Sequence, residues 1–197
     1  MLTTLAQAEQ RTVLRNISWQ TFKALLKETG EDRGSRFAYD CGTLEIMTPL
    51  LGHENPKIQL DHFIIALAEE LDIEIKSTGS TTLKRKITNR GIEPDNCYYI
   101  QNELVVRGKQ ELDLETDLPP DLAIEIDITS SSVNKFGIYS ALGIPELWRY
   151  NRRVLKFYQL AEGQYVEREF SIAFPLVSVT EMSQFIEQTK TTGKLPY

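Results

Sequence analysis

The sequence contains little cysteine, no long apolar stretch and no excess of positive charge. Its two cysteines, Cys41 and Cys97, form no motif with each other, which favours a reduced, cytoplasmic location. No apolar run approaches the roughly 18 residues of a membrane span, and residues 1–11 lack the basic and then apolar pattern of a signal peptide. We therefore expect a cytoplasmic protein with no membrane-spanning segment.

Acidic residues outnumber basic ones in this chain. The 197 residues include 22 Lys and Arg against 28 Asp and Glu, which gives a formal net charge of −6. This balance argues against broad, charge-driven binding of nucleic acid, but it leaves room for a local basic groove. Hydrophobic residues make up 41% and charged residues 25%, which is typical of a folded domain. The length and the even composition predict one domain over residues 1–197.

The order of the predicted elements indicates a mixed fold. Apolar residues at helical spacing predict helices over 18–29 and 56–71, with Pro56 in the first turn of the second helix. Two strands within 36–47 form a hairpin. Residues 121–150 follow a strand–helix–strand order with short loops, which implies a right-handed crossover and two parallel strands. The predicted fold class is α/β (α+β), a mixed β-sheet flanked by helices with an added β-hairpin.

The strand predicted over 121–129 carries the sharpest local pattern. Its apolar residues alternate with Glu125 and Asp127, so these two carboxylates project together from the opposite face. A half-exposed strand of an antiparallel sheet would show the same alternation. If a helix covers this face instead, the carboxylates repel each other unless a divalent metal or a lysine lies between them.

Two further residues are candidates for the same site. Asp95 follows Pro94 just before a predicted strand, and it either forms a simple turn or joins Glu125 in binding one hard cation. Lys135 precedes Ile138 by three residues and Leu142 by seven, so it shares their helix face and points toward the sheet. There it could stabilise charge on a phosphate, although a lysine lying over the helix edge is the common alternative.

Basic residues form two clusters along the chain. Either cluster could contact a phosphate backbone, or it could protect a strand end against aggregation. We place Lys84, Lys86 and Arg90 among the candidate substrate-binding residues. The clusters consist of Lys84, Arg85, Lys86 and Arg90, and of Arg149, Arg152, Arg153 and Lys156.

Several short motifs resemble those of known nucleases. Pro94-Asp95 followed by Glu125-Ile126-Asp127 resembles the PD-(D/E)XK signature of restriction-endonuclease-like nucleases, in which the second motif reads acid, any residue, Lys. The order of the motifs is similar to that of the Uma-two family of restriction endonucleases, from about the first helix to the strand after Trp148. The stretches that carry this resemblance are Gly52-His53-Glu54, Glu93-Pro94-Asp95, residues 119–125, Lys135 with Tyr139, and residues 143–148.

The resemblance implies a restriction endonuclease-like domain, with an N-terminal helix and hairpin over 18–48 and a catalytic core over about 52–160. It implies that Asp95 and Glu125 bind Mg²⁺ or Mn²⁺. Asp127 stands where the signature lysine is expected, and in this family the lysine is thought to lie on the following helix, as Lys135 does here.

Two residues near the start of the long helix complete the candidate site. Glu54 matches a position at which related nucleases add an acidic metal ligand, although an acid at a helix N-terminus is also favourable by itself. His53, beside it, is a weaker candidate for contact with substrate. Together with Asp127, Glu54 is a candidate metal ligand beyond Asp95 and Glu125.

The function predicted from these residues is that of a Mg²⁺-dependent endonuclease hydrolysing phosphodiester bonds of DNA. Asp95, Glu125 and Lys135 are its predicted catalytic residues. Cutting both strands of a duplex requires two sites, which favours a homodimer. The alternative is a non-catalytic nucleic-acid- or protein-binding module that retains the nuclease fold, and the net acidity and the missing motif lysine favour it.

Overall fold

A computed structural model describes residues 10–30, 33–49, 51–127, 130–151 and 154–192, without the side chains of 51–55 and 189–192. Within these residues the chain forms two β-sheets and five helices. The helices are α1 (Trp19–Thr29), α2 (Leu51–Glu70), α3 (Glu103–Val106), α4 (Lys135–Leu142) and α5 (Val179–Thr192). The strands are β1 (Gln10–Leu14), β2 (Arg36–Asp40), β3 (Thr43–Thr48), β4 (Lys76–Ser77), β5 (Leu83–Arg85), β6 (Arg90–Ile92), β7 (Asn96–Tyr99), β8 (Leu122–Ile126), β9 (Glu146–Asn151), β10 (Val154–Ala161) and β11 (Gln164–Arg168).

The first sheet is antiparallel, with strand order β1-β3-β2-β6-β5. It contains the predicted hairpin, whose turn places Cys41 and Gly42 at φ values of 46° and 100°. Glycine adopts such positive φ values without the steric cost of a side chain. Helix α1 packs on this sheet through Phe22, whose ring stacks on Tyr39 with a centroid distance of 4.6 Å. The predicted first helix and hairpin are therefore confirmed.

The second sheet has strand order β11-β10-β9-β8-β7-β4 and is mixed. Strands β8 and β9 are parallel and α4 connects them, which confirms the predicted strand–helix–strand unit. The helix ends at Gly143, whose φ of 79° is left-handed and lets its N–H bond back to the last turn. The remaining strand pairs of this sheet are antiparallel.

Strand β8 lies at the centre of the packing. Helices α2 and α5 cover the face that carries Leu122, Ile124 and Ile126, while α4 and the first sheet cover the face that carries Ala123. All five residues of β8 are buried. Because both faces of β8 are covered, β8 is not a half-exposed strand, which is the alternative explanation of its alternating sequence. None of the described helices is long and apolar enough to cross a membrane.

The observed elements differ from the predicted ones at the start of α2 and at two short strands. Helix α2 begins at Leu51, so Pro56 lies in the second turn and not in the first, where it was predicted. Because proline lacks an N–H, the helix there gives up one backbone hydrogen bond close to its start. Strands β1 and β6 were not predicted because they are short. Strand β1 pairs with the distant β3, and β6 pairs both with β2 of the hairpin and with the nearby β5.

Candidate active site

Two buried carboxylates lie at the C-terminal end of β8. Glu125 is the fourth residue of the strand and projects toward α4, and Asp127 follows the strand directly. Their residues are 2% and 4% exposed. Carboxylates with so little access to water need compensating charge or hydrogen bonds, so their neighbours determine what this site can do.

Lys135 supplies positive charge to both carboxylates. It begins α4, which Asn134 caps by accepting a hydrogen bond from the backbone N–H of Gly137. Its Nζ lies 2.5 Å from Oε2 of Glu125 and 3.5 Å from Oδ1 of Asp127. Its side chain is 12% exposed. The structure therefore directs Lys135 into the site, and the alternative of a lysine lying over the helix surface does not apply.

Tyr139 and Arg149 complete the contacts of the two carboxylates. Tyr139, one helical turn after Lys135, donates its hydroxyl hydrogen to Oε1 of Glu125. Arg149, opposite Glu125 on the parallel strand β9, donates from Nε to Oδ2 of Asp127. Both oxygens of each carboxylate thus have a donor or a cation beside them.

Asp95 reaches the same site from the loop before β7. Its backbone N–H donates to the carbonyl of Ile124, and its Oδ2 accepts from the N–H of Ile126 at 2.7 Å. Arg36 of β2 brings its Nε to 3.2 Å from Oδ1 of Asp95. That buried Nε forms no aligned hydrogen bond with any of the described residues. Arg36 and Asp95 therefore form an ion pair at this point without an aligned hydrogen bond from Nε.

A small cavity lies where these residues converge. Its volume is about 10 Å³, close to that needed for one water molecule. Asp95, Glu125, Lys135, Arg36 and Glu45 are among its lining residues. The structure thus brings Asp95, Glu125 and Lys135 to one cavity, and it adds two charged residues of the first sheet, Arg36 and Glu45.

The cavity contains oxygen donors of the chemical type that a hard divalent cation prefers. Asp95 and Glu125 are the kind of ligand that Mg²⁺ takes, with waters at its other positions. Among the described side chains, however, no group of three or more His, Cys, Asp or Glu is placed to hold a metal ion. Lys135 and Arg149 supply the positive charge beside Glu125 and Asp127 instead. Glu54 and His53 belong to the first turns of α2, whose side chains lie outside the described residues.

Burial and charge shift the pKa values of this site. Burial raises the pKa of Glu125 to about 7; Lys135 opposes the shift, whereas Asp95 and Asp127 add to it. Burial acts to lower the pKa of Lys135, but the charges of Glu125, Asp127 and Asp95 outweigh it and raise this pKa above its usual value. The site therefore keeps its lysine charged, and Glu125 exchanges its proton near neutral pH.

We expect the protein to lose stability as Glu125 ionises. The pKa of Glu125 in the folded protein lies above its ordinary 4.5, so its stabilisation is complete below pH 4.5 and is lost as the pH rises through about 7. A Glu125→Gln variant cannot ionise there. Relative to that variant, the wild type should lose on the order of 3 kcal/mol of unfolding free energy across this range. Urea unfolding at a series of pH values measures the difference.

Glu181 provides a control with the opposite sign. Hydrogen bonds from Ser178 lower the pKa of Glu181, so its contribution is present above its ordinary pKa and is lost on acidification. The difference between wild type and Glu181→Gln should therefore change in the other direction. A wild-type stability that stays constant or rises relative to Glu125→Gln would contradict the expected shift.

The predicted substrate-binding lysines and arginine separate in the structure. Lys84 lines a broad groove next to α1. Lys86 is exposed in the turn after β5. Arg90 donates from Nε to Asp40 at 2.7 Å. Of these three residues, Lys84 therefore lines this groove.

The second basic cluster is divided in a similar way. Arg149 binds Asp127 and stacks over the ring of Phe136, with 4.9 Å between its guanidinium carbon and the ring centroid. Lys156 forms an exposed ion pair with Glu167 at 2.8 Å. Residues 152–153 lie outside the described residues. Arg149 is therefore part of the carboxylate site and not part of a surface cluster.

The hairpin contributes a residue to the site that was not among the predicted site residues. Glu45 of β3 is 1% exposed and accepts a hydrogen bond from Arg11. It also accepts hydrogen bonds from Ser131 and from the backbone of Ser132, and so ties β3 to the loop before α4. One sequence signal was available: Glu45 alternates onto the same strand face as Met47, which is buried.

Restriction-endonuclease-like proteins are expected to have this arrangement, in which a mixed sheet holds buried carboxylates against a lysine from the crossover helix. The chain belongs to the Uma2 family, described as "Putative restriction endonuclease", whose family model matches residues 19–189. This membership confirms the resemblance found in the motifs and makes nuclease the general class of function. No protein of curated function matches the chain significantly.

A solved structure has a similar fold. It is the crystal structure of a "putative nuclease belonging to DUF820" from Anabaena variabilis ATCC 29413, which superimposes with a TM-score of 0.58. The two sequences are 14% identical, and the match covers 86% of this chain and 99% of the other. At this identity the similarity shows the fold alone, and it confirms the predicted fold class.

Proposed function

We propose that this protein is a divalent-metal-dependent endonuclease that hydrolyses phosphodiester bonds of DNA. The observation that carries the proposal is the convergence of Asp95, Glu125 and Lys135 on one buried cavity. These residues come from a loop before β7, from β8 and from α4, so they meet only because the sheet and its crossover helix fold together. Membership of a restriction endonuclease family supports the same class of reaction.

The proposal assigns a role to each of the polar residues named below. Asp95 and Glu125 would bind Mg²⁺ or Mn²⁺, with Glu54 and Asp127 as further candidate ligands. A bound metal supplies a Lewis acid for the phosphate and lowers the pKa of a bound water. Lys135 donates hydrogen bonds to the attacking water or to the phosphate oxygens, where negative charge develops. Tyr139 and Arg149 act as positioning residues, because they hold Glu125 and Asp127 in place.

Two further parts of the proposal concern the assembly and the location of the protein. Cutting both strands of a duplex requires two such cavities, so we include a symmetric homodimer in the proposal. A cytoplasmic location suits the two free cysteines. Burial raises the pKa of Cys97 to about 12, which keeps this thiol protonated and unreactive.

Titration with Mg²⁺ and Mn²⁺ tests the proposal. At a metal concentration of 100 times Kd, the wild type should gain about 2.7 kcal/mol of unfolding free energy, and Asp95→Asn should lose this gain. Cleavage of plasmid DNA should require the metal and stop on addition of EDTA. Asp40→Asn, which removes a carboxylate paired with Arg90 outside the cavity, is the matched control. The proposal fails if neither ion stabilises the wild type and Asp95→Asn behaves like it.

A non-catalytic binding module is the second candidate, and one observation favours it. The ammonium of Lys135 and the guanidinium of Arg149 already lie against Glu125 and Asp127, so the described site is neutralised without a metal ion. On this alternative, DNA or a protein binds the chain, and the titration shows no metal-dependent stabilisation and no cleavage.

A further inference from the structure

A broad groove of about 790 Å³ lies apart from the small catalytic cavity. Its lining residues come from α1, from the segment of β4 and β5, and from residues 103–112. Seven of the described lining residues are basic and two are acidic, in a chain whose formal net charge is −6. A concentration of positive charge against the overall charge of the protein indicates a surface for an anionic partner.

Three lysines give this groove charge that nothing in the described chain neutralises. Lys23, Lys27 and Lys84 line it, and none of them forms an ion pair with the described residues. Lys23 and Lys27 are exposed and lie one turn apart on the same face of α1. Like charges at this spacing destabilise a helix, so folding alone does not explain their position.

The other basic residues of the groove hold its wall in place. Lys76 donates from Nζ to the carbonyls of Val106 and Lys109, at 2.9 Å and 2.6 Å, and so fixes the turn after α3. Arg107 binds Glu103 through two nitrogens. The wall is thus formed before any ligand arrives, and a preformed surface binds with a smaller entropic cost.

One buried carboxylate joins the groove to the candidate active site. Thr82 and Arg33 line the groove, and both donate to Oε1 of Glu93. The other oxygen of Glu93 accepts from the backbone N–H of Phe37 at 2.8 Å. Glu93 also lines the cavity of Asp95, two residues further along the chain. Glu93 therefore connects the wall of the groove to the wall of the cavity.

We propose that this groove holds the sugar–phosphate backbone of a DNA duplex and directs it to the cavity of Asp95 and Glu125. Lys23, Lys27 and Lys84 each neutralise a phosphate of the bound strand. Separate lysines along an elongated surface suit a polyanion with regularly spaced charges, and they read no base sequence. The inference rests on the proposed function, because it assigns the substrate-docking surface of the same site.

Binding of a short fluorescein-labelled DNA duplex to the full chain, in EDTA and over a range of salt concentrations, tests this groove. The variant is Lys23→Gln/Lys27→Gln/Lys84→Gln. Its affinity at low salt should fall roughly tenfold or more, and its slope of log affinity against log salt should be smaller by about 3, because each lost phosphate contact releases about one counterion fewer. Fluorescence anisotropy measures both quantities.

A control variant with the same change of net charge isolates the groove. Lys57→Gln/Lys156→Gln/Arg168→Gln alters three basic residues that do not line it, and this variant should bind like the wild type. Thermal unfolding checks that both variants fold. Lys23→Gln/Lys27→Gln, confined to exposed positions on α1, keeps the test valid if the change at the half-buried Lys84 disturbs folding; its slope should fall by about 2.

The outcomes separate the groove from the nuclease. Three outcomes would overturn the groove assignment. Both triple variants weaken DNA binding equally, the wild type binds no duplex, or polyglutamate displaces the labelled duplex as effectively as unlabelled DNA does. Polyglutamate displacement would make the groove a surface for acidic proteins. If the groove variant alone loses duplex affinity but the wild type cleaves nothing with Mg²⁺ or Mn²⁺, the groove stands and the proposed nuclease activity fails. If the wild type cleaves DNA and the groove variant binds the duplex normally, the proposed nuclease activity stands and the groove assignment fails.

Discussion

Replacing Lys135 with methionine should reduce DNA cleavage by about 10² to 10³. The lysine is a partly buried donor at the cavity of Asp95 and Glu125, and methionine keeps its length without its charge. A donor aimed at developing negative charge in a water-poor site contributes much more than one at the surface. Plasmid cleavage with saturating Mn²⁺ or Mg²⁺ measures the loss.

The same substitution should destabilise the fold in a way that depends on pH. Removing one partner of a buried ion pair costs about 3–5 kcal/mol because the other charge stays buried. Asp127 keeps Arg149, but Glu125 keeps only the hydroxyl of Tyr139. At low pH Glu125 takes up a proton and the penalty shrinks. Urea unfolding at acidic and alkaline pH should therefore show a larger loss at alkaline pH.

Metal binding distinguishes a catalytic role of Lys135 from a structural one. A divalent cation can replace the missing ammonium as the counter-charge of Glu125, so Lys135→Met should still be stabilised by Mg²⁺, at least as strongly as the wild type. Lys156→Met removes an exposed lysine paired with Glu167 and should leave the free energy of unfolding almost unchanged. Wild-type cleavage by folded Lys135→Met would show that the lysine has no part in the reaction.

The position of Lys135 could be predicted because it follows from local periodicity. Its spacing to Ile138 and Leu142 fixes the helix face, and both of these residues are buried against the sheet. The alternation along β8 likewise separates Glu125 from the apolar residues on the other face. Each of these patterns lies within a single strand or a single helix, so it can be recognised in the sequence before the packing of the elements is known.

The contribution of the first sheet could not be predicted in this way. Arg36 approaches Asp95, and Glu45 reaches the loop before α4, only because the hairpin packs across the face of the second sheet. No spacing rule connects a strand to a loop 86 residues away. The groove of Lys23 and Lys27 has the same origin, since its walls come from segments that meet only in the folded chain.

Family motifs also contain residues that support the fold and take no part in the site. Glu146, in the stretch 143–148 that carries the resemblance, is 1% exposed at the start of β9. Its Oε1 accepts from the indole N–H of Trp148, and its Oε2 accepts from Ser171 and from the N–H groups of Ile172 and Ala173. Burial raises the pKa of Glu146, against these hydrogen bonds. One side chain thus fixes the segment that leads toward α5.

Glu146→Ala should therefore destabilise the protein by about 3–5 kcal/mol, a large part of the stability of an ordinary domain. The substitution leaves several buried donors without an acceptor and opens a cavity beside Trp148. Urea unfolding measures the loss, and Glu167→Ala, which removes an exposed carboxylate, should cost less than about 1 kcal/mol. Because Glu146 does not line the cavity of Asp95 and Glu125, the folded fraction of Glu146→Ala should keep the wild-type response to Mg²⁺. A variant with normal stability and no response to metal would instead place Glu146 in the reaction.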